Sequence, residues 1–363
     1  MPQNPRRQFL AQTAALASVP LFSGVVSGQA PARKLGVALV GLGSLATNQI
    51  APALAKTRNC RLAGIVTGSP AKAAEWKQKY SLSDKNIYDY KTMSRMKDNK
   101  DIDIVYVVTP NSLHLEHALA AAAAGKHVFC EKPMEISVER CQQMIDAVKK
   151  AGKMLGVGYR CQFEPNHLEC VRLARDKVLG DVKIIDANFG FAIGDPTQWR
   201  LKRDLAGGGA LMDVGIYCLQ TTRMLTGEDP IWISATEVKT DPVKFKEVDE
   251  TISWQTKFPG GVVTQCTSTY AANGLAGFRA ATTRGSFGLD PAYFYGGNRG
   301  RRSDGPEINF PPTDQFATEL DDFADCINNK RQTKVPGEMG LQDVKYLTAI
   351  YESIKKGRPV SLV

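Results

Sequence analysis

The sequence lacks the paired cysteines that a disulfide framework or a zinc site needs. Its eight cysteines lie far apart, and none forms a Cys-x-x-Cys pair with another. The four histidines are also scattered. His114 and His117 are three residues apart, but no third ligand accompanies them. We therefore predict neither a disulfide scaffold nor a metal site.

The sequence also lacks the charge pattern of a nucleic-acid-binding protein. Its 46 Lys and Arg residues outnumber its 37 Asp and Glu residues, which gives a formal net charge of +9. These basic residues are spread along the chain, and only residues 298–302 (NRGRR) form a tight cluster. We predict a solvated basic surface on a globular protein and no nucleic-acid partner.

The weakly apolar run at residues 11–26 is too short, and too rich in Ala, Ser and Gly, to span a membrane. It follows Arg6 and Arg7 and precedes residues 28–30 (GQA), a small-x-Ala cleavage pattern. Residues 1–30 thus resemble a twin-arginine signal peptide. We expect export of the folded chain by the twin-arginine machinery to the periplasm, with no membrane contact after cleavage. A cofactor inserted in the cytoplasm is the usual reason for folding before export.

A glycine-rich turn follows the first buried strand, at residues 35–40. The sequence GLGSLA then opens a helix, which is the strand-turn-helix arrangement that binds a dinucleotide. Gly41 permits the tight turn, Gly43 lets the backbone approach a pyrophosphate, and Ala46 allows close packing of the helix on the strand. The cofactor-binding residues predicted here are Gly41, Leu42, Gly43, Ser44, Leu45 and Ala46.

No Asp or Glu follows the second strand, where an NAD-binding domain usually places one for the ribose hydroxyl. Thr67, Ser69 and Lys72 stand there instead, and hydroxyls with a positive charge suit a 2'-phosphate. Ser69 is also a good N-cap for a helix beginning at Pro70, and both roles are compatible. We predict NADP rather than NAD.

Alternating strands and helices up to residue 158 predict a doubly wound parallel sheet, the Rossmann fold, in a cofactor domain at 31–158. One predicted strand, 127–130, runs into Glu131, Lys132 and Pro133. Ligands of such sheets bind at the carboxyl ends of the strands, so Lys132 is predicted to lie at the chemistry. The alternative is an ordinary solvated Lys-Pro turn.

Consecutive long strands from residue 159 onward predict a C-terminal α+β domain, 159–363, with a large, mostly antiparallel open sheet. The predicted strands are 183–192, 231–240, 251–258, 262–270 and 278–289. Between the first two, a helix after three glycines places Asp213 and Tyr217 four residues apart on one face. They are either site residues or a polar pair that only supports the helix.

Three motifs, TPNxxH, AGKHVxxEKP and GGGALMDVGIY, resemble those of the Gfo/Idh/MocA oxidoreductase family over essentially all of residues 35–360. Within that family the chain is most similar to the branch of glucose-fructose and aldose-aldose oxidoreductases. The resemblance implies a Rossmann domain and a C-terminal domain whose open sheet often forms an oligomer interface. The long proline-rich arm of glucose-fructose oxidoreductase is missing, which favours a homodimer over a tetramer.

The resemblance also implies roles for individual residues. Lys132 would lie beside the nicotinamide and the reacting sugar carbon. Asp213 and Tyr217 would be the other catalytic residues, with Tyr217 at the acid/base position and Asp213 positioning either the sugar hydroxyl or the lysine. The Lys132 ammonium would favour the phenolate of Tyr217, because a free phenol with a pKa of about 10 is a poor base. The expected substrate-binding residues are Lys132, Arg160, Asp213 and Tyr217. The remaining expected cofactor contacts are Pro110, Asn111, His114, Glu131, Lys132, Arg160, Trp199 and Arg200.

We therefore expect an exported NADP(H)-dependent sugar oxidoreductase with tightly bound cofactor. It would oxidise an aldose at C1 to its lactone and reduce a second sugar with the retained hydride. Two alternatives remain: an NAD-dependent, redox-neutral glycosidase of the same superfamily, and a non-catalytic sugar or nucleotide sensor.

Overall fold

The computed structural model describes residues 33–362, so the predicted signal peptide lies outside the described residues. Within this range the chain forms one sheet of six strands and one of nine. No helix of residues 33–362 is long and apolar enough to cross a membrane.

The first sheet has the predicted doubly wound parallel form. Its strands are β1 (Leu35–Val40), β2 (Cys60–Val66), β3 (Ile87–Tyr88), β4 (Ile104–Val107), β5 (His127–Glu131) and β6 (Leu155–Gly158). They lie in the order β3-β2-β1-β4-β5-β6, and every neighbouring pair is parallel. Every residue of β1 and β4 is buried, as expected where both faces of a parallel sheet are covered.

Short helices and turns connect these strands. The α-helices are α1 (Ala51–Leu54), α2 (Pro70–Tyr80), α3 (His114–Ala123) and α4 (Val138–Lys150). Side-chain caps fix two of them, since Ser69 accepts a hydrogen bond from the Lys72 amide and Ser137 one from the Arg140 amide. The connection between β3 and β4 contains a 3-10 turn, Met93–Asp98.

The second sheet is mostly antiparallel, as predicted. Its strands are β7 (Val182–Gly190), β8 (Trp232–Val238), β9 (Thr251–Lys257), β10 (Val263–Thr269), β11 (Leu275–Thr282), β12 (Gly285–Leu289), β13 (Gly300–Arg302), β14 (Glu307–Ile308) and β15 (Val360–Ser361). They lie in the order β14-β13-β12-β11-β7-β10-β9-β8-β15. Strand β7 pairs with β10 in parallel, because the helical insertion after β7 returns the chain to the same end of the sheet.

One strand prediction was wrong. Residues 278–289 were predicted as a single strand but form most of β11 and all of β12, a hairpin that turns at Thr283 and Arg284. Residue-by-residue alternation continues through both arms, so the pattern alone does not reveal the turn.

The helices of the second half are α5 (Pro165–Arg175), α6 (Arg203–Ala206), α7 (Ile216–Thr226), α8 (Gln315–Asn328) and α9 (Gly337–Lys356). The last two pack back against the first sheet. Asp321 of α8 accepts hydrogen bonds from the amides of Arg58 and Asn59 before β2, and Phe323 packs on Phe129 of β5 with ring centroids 4.9 Å apart. Ser353 of α9 also accepts a hydrogen bond from the Ala235 amide of β8, so the end of the chain contacts both sheets.

Candidate active site

A cavity of about 880 Å³ lies at the carboxyl ends of β1, β4 and β5 and is closed on its other side by the second sheet and α7. Eleven of the predicted site residues line it: Gly43, Ser44, Leu45, Asn111, Glu131, Lys132, Arg160, Trp199, Arg200, Asp213 and Tyr217. Residues far apart in the sequence therefore meet at one place, as the carboxyl-end rule for parallel sheets predicts.

The glycine-rich turn has the shape that a pyrophosphate requires. Gly41 has φ +91°, and a Cβ added there would meet the Thr109 side chain at 2.8 Å. A Cβ at Gly43 would meet no atom within 4 Å, so the space above the turn is open. Ala46 is fully buried and packs against the core. The turn therefore fits a dinucleotide.

The end of β2 shows both features that the sequence suggested. Ser69 caps α2, and its amide donates to Thr67 Oγ1 at 3.2 Å. Lys72 points back to the glycine-rich turn, where its Nζ donates to the Leu42 carbonyl at 3.1 Å. Its ammonium thus lies at the edge of the turn where a 2'-phosphate would arrive.

Lys132 and Asp213 form the central ion pair. Lys132 Nζ lies 2.8 Å from the Asp213 carbonyl oxygen and 3.3 Å from Asp213 Oδ1. Asp213 Oδ2 accepts hydrogen bonds from Arg200 Nε at 3.0 Å and from the Tyr270 hydroxyl at 2.8 Å. Burial raises the pKa of the Asp213 carboxyl, but the charges of Arg200 and Lys132 outweigh this and hold it well below its usual range. Asp213 is therefore ionised and fixes the lysine in place.

Tyr217 is bound by Arg160 rather than by Lys132. Arg160 Nε donates to the Tyr217 hydroxyl at 3.1 Å, whereas Lys132 Nζ lies over the ring, 4.8 Å from its centroid. Burial raises the pKa of Tyr217 above its usual range, although the Arg160 charge opposes this. The structure therefore does not favour the expected phenolate: burial keeps Tyr217 a neutral phenol, and the Lys132 ammonium is bound to Asp213 and not to the phenol oxygen.

Arg160 also fixes one wall of the cavity. It is buried, and its guanidinium donates to the carbonyls of Tyr293 and Phe294 and to Gln315 Oε1. These bonds tie Tyr217 to the loop after β12 and to the start of α8. Tyr295, half exposed in the same loop, forms an aromatic side of the cavity.

Glu131 lies at the floor of the cavity in a buried carboxyl cluster. The Tyr106 hydroxyl donates to Glu131 Oε1 at 2.6 Å and lies 3.4 Å from Glu319 Oε1. Burial raises the pKa of both carboxyls, and the Glu131 charge raises that of Glu319 further. The pair therefore retains protons at a pH where exposed glutamates lose them.

Two cofactor contacts predicted from the TPNxxH motif do not line the cavity. Pro110 directly precedes Asn111 but does not line the cavity. His114 is fully buried, and its ring nitrogens bond the backbone carbonyls of Thr109, Pro133 and Met134. The histidine of the TPNxxH motif therefore joins the ends of β4 and β5 and faces away from the cofactor space.

The remaining predicted residues flank the cavity. Asn111 is buried, and its amide donates to the Ala206 carbonyl at 2.9 Å, which connects β4 to α6. Trp199 lies at the rim with the Arg200 guanidinium 4.7 Å from its ring centroid. Among residues 33–362 no group of three or more His, Cys, Asp or Glu residues is placed to hold a metal ion.

Two site residues were missed from the sequence. Tyr270, at the end of the predicted strand 262–270, binds Asp213, but strand alternation gives only the face of a residue and not its partner. Asp249 accepts hydrogen bonds from the amides of Gly209 and Leu211 and from the Tyr351 hydroxyl. It thereby fixes the π-helical turn Leu211–Gly215 that carries Asp213, and no motif marks it.

Two family models match the chain. Residues 35–159 match a Gfo/Idh/MocA model described as "Oxidoreductase family, NAD-binding Rossmann fold", and residues 167–288 match the GFO/IDH/MocA C-terminal domain. Together the matches cover the first sheet and the second sheet through most of β12, and they include Lys132, Asp213 and Tyr217.

Individual relatives agree with these matches. A crystal structure of aldose-aldose oxidoreductase from Caulobacter crescentus, complexed with glycerol, is 44% identical, with a TM-score of 0.88 over 91% of this chain and 100% of that one. D-xylose 1-dehydrogenase [NADP(+)] of Haloarcula marismortui is 31% identical over 90% of this chain and 92% of its own. Trans-1,2-dihydrobenzene-1,2-diol dehydrogenase of Danio rerio is 37% identical over 56% of this chain and 58% of its own.

Proposed function

The chain belongs to the Gfo/Idh/MocA oxidoreductase family, and from this we propose that it is an exported, NADP-dependent sugar oxidoreductase that oxidises one aldose at C1 and reduces a second sugar. The observation that carries the proposal is one cavity in which an open glycine-rich turn faces the Lys132–Asp213 ion pair and the Tyr217 phenol. An NAD(P)-dependent oxidation of a sugar hydroxyl needs these three elements together.

The cofactor would be held by the glycine-rich turn and the end of β2. Gly41, Gly43 and Ser44 would approach the pyrophosphate, and Lys72 would bind the 2'-phosphate. When bound, the nicotinamide accepts a hydride from the sugar carbon or returns it. The NADP-dependent D-xylose dehydrogenase among the relatives supports this cofactor choice.

The chain's own residues would handle the proton of the sugar hydroxyl. Arg160 donates a hydrogen bond to the Tyr217 oxygen from one side, so the phenolic hydrogen is free to point at a sugar oxygen. Lys132 lies on the face of the same ring, where its positive charge stabilises the negative charge that develops on either oxygen. A neutral phenol suits reduction, in which the sugar oxygen takes a proton, and oxidation runs the same transfer in reverse.

The predicted export is the reason for proposing a second half-reaction, the reduction of a second sugar. Free NADP is not supplied outside the cytoplasm, so a cofactor carried along must be recycled by a second substrate. The Arg6-Arg7 pattern and the similarity to aldose-aldose oxidoreductase support this view. The open face of the second sheet, with Ile184 and Val263 exposed side by side on β7 and β10, supports a homodimer.

The direct test is a spectroscopic one on the purified mature protein. We expect NADP(H) to remain bound through gel filtration, glucose to build absorbance near 340 nm, and a second sugar to bleach it. Native mass spectrometry would report bound cofactor and subunit number together. Loss of cofactor on purification would contradict retention, and release of free sugar from an aryl glycoside without net reduction would favour the glycosidase alternative.

Lys72→Met is expected to raise the Kd for NADP about tenfold and to leave the Kd for NAD within about twofold, since only the former carries the 2'-phosphate. Fluorescence titration of cofactor-free protein with both nucleotides measures this. Lys77→Met, on the same helix α2 but paired with Asp84, is the matched control. An equal increase in the Kd values for NADP and NAD would show that Lys72 does not bind the 2'-phosphate.

A further inference from the structure

A buried chain of polar groups runs from helix α8 to the floor of the large cavity. Its three members are Glu319 of α8, Tyr106 of β4 and Glu131 at the end of β5. Of the three, Glu131 lines the cavity, and Tyr106 and Glu319 are fully buried behind it. The Tyr106 hydroxyl lies 2.6 Å from Glu131 Oε1 and 3.4 Å from Glu319 Oε1. A single hydroxyl therefore stands between two carboxyl groups.

This hydroxyl can act as a donor to only one of the two carboxyls at a time. A tyrosine hydroxyl has one hydrogen, and its oxygen can still accept a hydrogen bond. The distances assign that hydrogen to Glu131, because 2.6 Å is a normal O–H···O separation and 3.4 Å is longer than one. Glu131 Oε2 also accepts from the Lys132 amide at 3.3 Å. Glu131 thus has the donors that an ionised carboxylate needs.

Glu319 has no such donor. Its Oε2 has no hydrogen-bond partner among the described residues, and its Oε1 faces a hydroxyl whose hydrogen is directed at Glu131. Glu250 is also buried, but it accepts hydrogen bonds from the Thr240 amide and hydroxyl and from the Asp241 amide. A buried carboxylate without donors is costly, whereas a neutral carboxylic acid can direct its own hydrogen at the Tyr106 oxygen.

The charges around the pair favour the same assignment. Burial and the Glu131 charge hold the pKa of Glu319 well above its usual range. Burial also raises the pKa of Glu131, but the Tyr106 hydrogen bond and the Lys132 charge oppose this. The two carboxyls thus keep one proton between them after exposed glutamates have lost theirs. The other titratable groups that interact with the pair are Arg160, Tyr217, Tyr295, Cys130 and Cys161.

We propose that Glu319 is a positioning residue of the active site: it holds one proton at neutral pH and, through the Tyr106 hydroxyl, keeps the negative charge of the pair on Glu131. The floor of the cavity, next to Lys132, is then anionic, and the carboxyl behind it is neutral. If Glu319 were ionised, either carboxyl could take the Tyr106 hydrogen, and the charge at the floor would not be fixed.

The fixed charge acts on the cofactor, a step that rests on the proposed function. The oxidised nicotinamide ring carries a positive charge, and the reduced ring carries none. An anion at the floor of the same cavity therefore favours the oxidised cofactor over the reduced one. The carboxyl pair thus selects the form of NADP that can accept a hydride from the first sugar.

Infrared spectroscopy of the full chain without cofactor, at neutral pH, tests where the proton lies. A protonated carboxyl has a C=O stretching band that a carboxylate lacks. We expect Glu319→Gln to remove one such band and Glu131→Gln to retain it. Glu250→Gln, at a buried carboxylate with three donors, is the matched control and should leave the band unchanged. Loss of the band in Glu131→Gln, or its persistence in Glu319→Gln, would overturn the proposal.

Tyr106→Phe tests the chain without changing either carboxyl, and it serves if Glu319→Gln does not fold. The ring keeps its edge contact with Phe129, with centroids 4.9 Å apart. Because the Glu319 acid loses the oxygen that accepts its hydrogen, we expect its C=O band to move to higher wavenumber. A band that stays at the wild-type position would show that Glu319 does not act through Tyr106.

Cofactor affinity tests the effect of the charge. We expect Glu131→Gln to raise the Kd for oxidised NADP about tenfold and to leave the Kd for NADPH within about twofold, because only the oxidised ring is charged. Fluorescence titration measures both values, again with Glu250→Gln as the control. Equal changes in the two Kd values would overturn the role of the charge. Failure of both forms to bind the wild-type protein would instead contradict the proposed function, and the infrared result does not depend on it.

Discussion

Replacing Lys132 by methionine is expected to lower kcat for sugar oxidation by about 10³-fold, the range for removal of a positioned proton-handling or charge-stabilising group. The lysine is 12% exposed and is the cation that joins Asp213 to the Tyr217 ring. Methionine keeps the length of the side chain and removes the charge. Initial rates of absorbance change near 340 nm measure the effect.

The fold should survive this substitution. Asp213 keeps its bonds from Arg200 and Tyr270, so no buried carboxylate is left without a partner. Lys132→Arg should recover part of the rate, because the charge returns but the rigid fork cannot keep both contacts to Asp213. Lys85→Met, at a surface pair with Asp101, is the control. A Lys132→Met enzyme within about threefold of wild type would remove Lys132 from the chemistry.

The first sheet could be predicted because each of its signals is local. A fully buried strand such as Leu35–Val40, a glycine turn and a capped helix each leave a pattern within ten residues. The chain order of such units then determines which loops meet. The position of Lys132 at the cavity could be predicted from these signals alone, since Lys132 follows directly after a strand of this sheet.

The partners of the site residues could not be predicted, because they depend on tertiary distances. The resemblance directed the Lys132 charge at the Tyr217 phenol and let Asp213 position either the sugar hydroxyl or the lysine. In the structure the lysine binds Asp213 and the phenol binds Arg160. His114 belongs to a family motif, yet its ring nitrogens are hydrogen-bonded to three backbone carbonyls. A motif residue can be required for the backbone conformation or for contact with a ligand, and the sequence alone does not distinguish these two roles.

The three glycines before Asp213 illustrate the same point. The structure packs them tightly. A Cβ at Gly208 would lie 2.1 Å from the Tyr351 hydroxyl oxygen, and one at Gly209 would lie 2.0 Å from the Asp249 carbonyl oxygen. The glycines are small so that Asp249 and Tyr351 can hold the turn carrying Asp213. The position of the Asp213 carboxylate therefore depends on Asp249 and Tyr351, which lie much further along the chain.

Replacing Tyr217 by phenylalanine is expected to lower kcat by about 10²-fold to 10³-fold while cofactor binding and Tm stay close to wild type. The substitution removes one hydroxyl and keeps the ring contacts with Phe189 and Tyr293. Arg160 loses a single acceptor and retains those on Tyr293, Phe294 and Gln315. Thermal unfolding and NADP titration measure the unchanged properties, and single-turnover absorbance measures the changed one.

The matched control is Tyr346→Phe, since Tyr346 also has an arginine over its ring, Arg223, 5.3 Å from the centroid, but lies outside the cavity. If Tyr217→Phe slows oxidation and reduction by the same factor, the phenol is the proton carrier in both directions, because a group that only positions one sugar would affect the two half-reactions unequally. If kcat is unchanged and KM alone rises, Tyr217 only binds sugar. Lys132, whose Nζ is bound to Asp213, would then have to accept the proton itself.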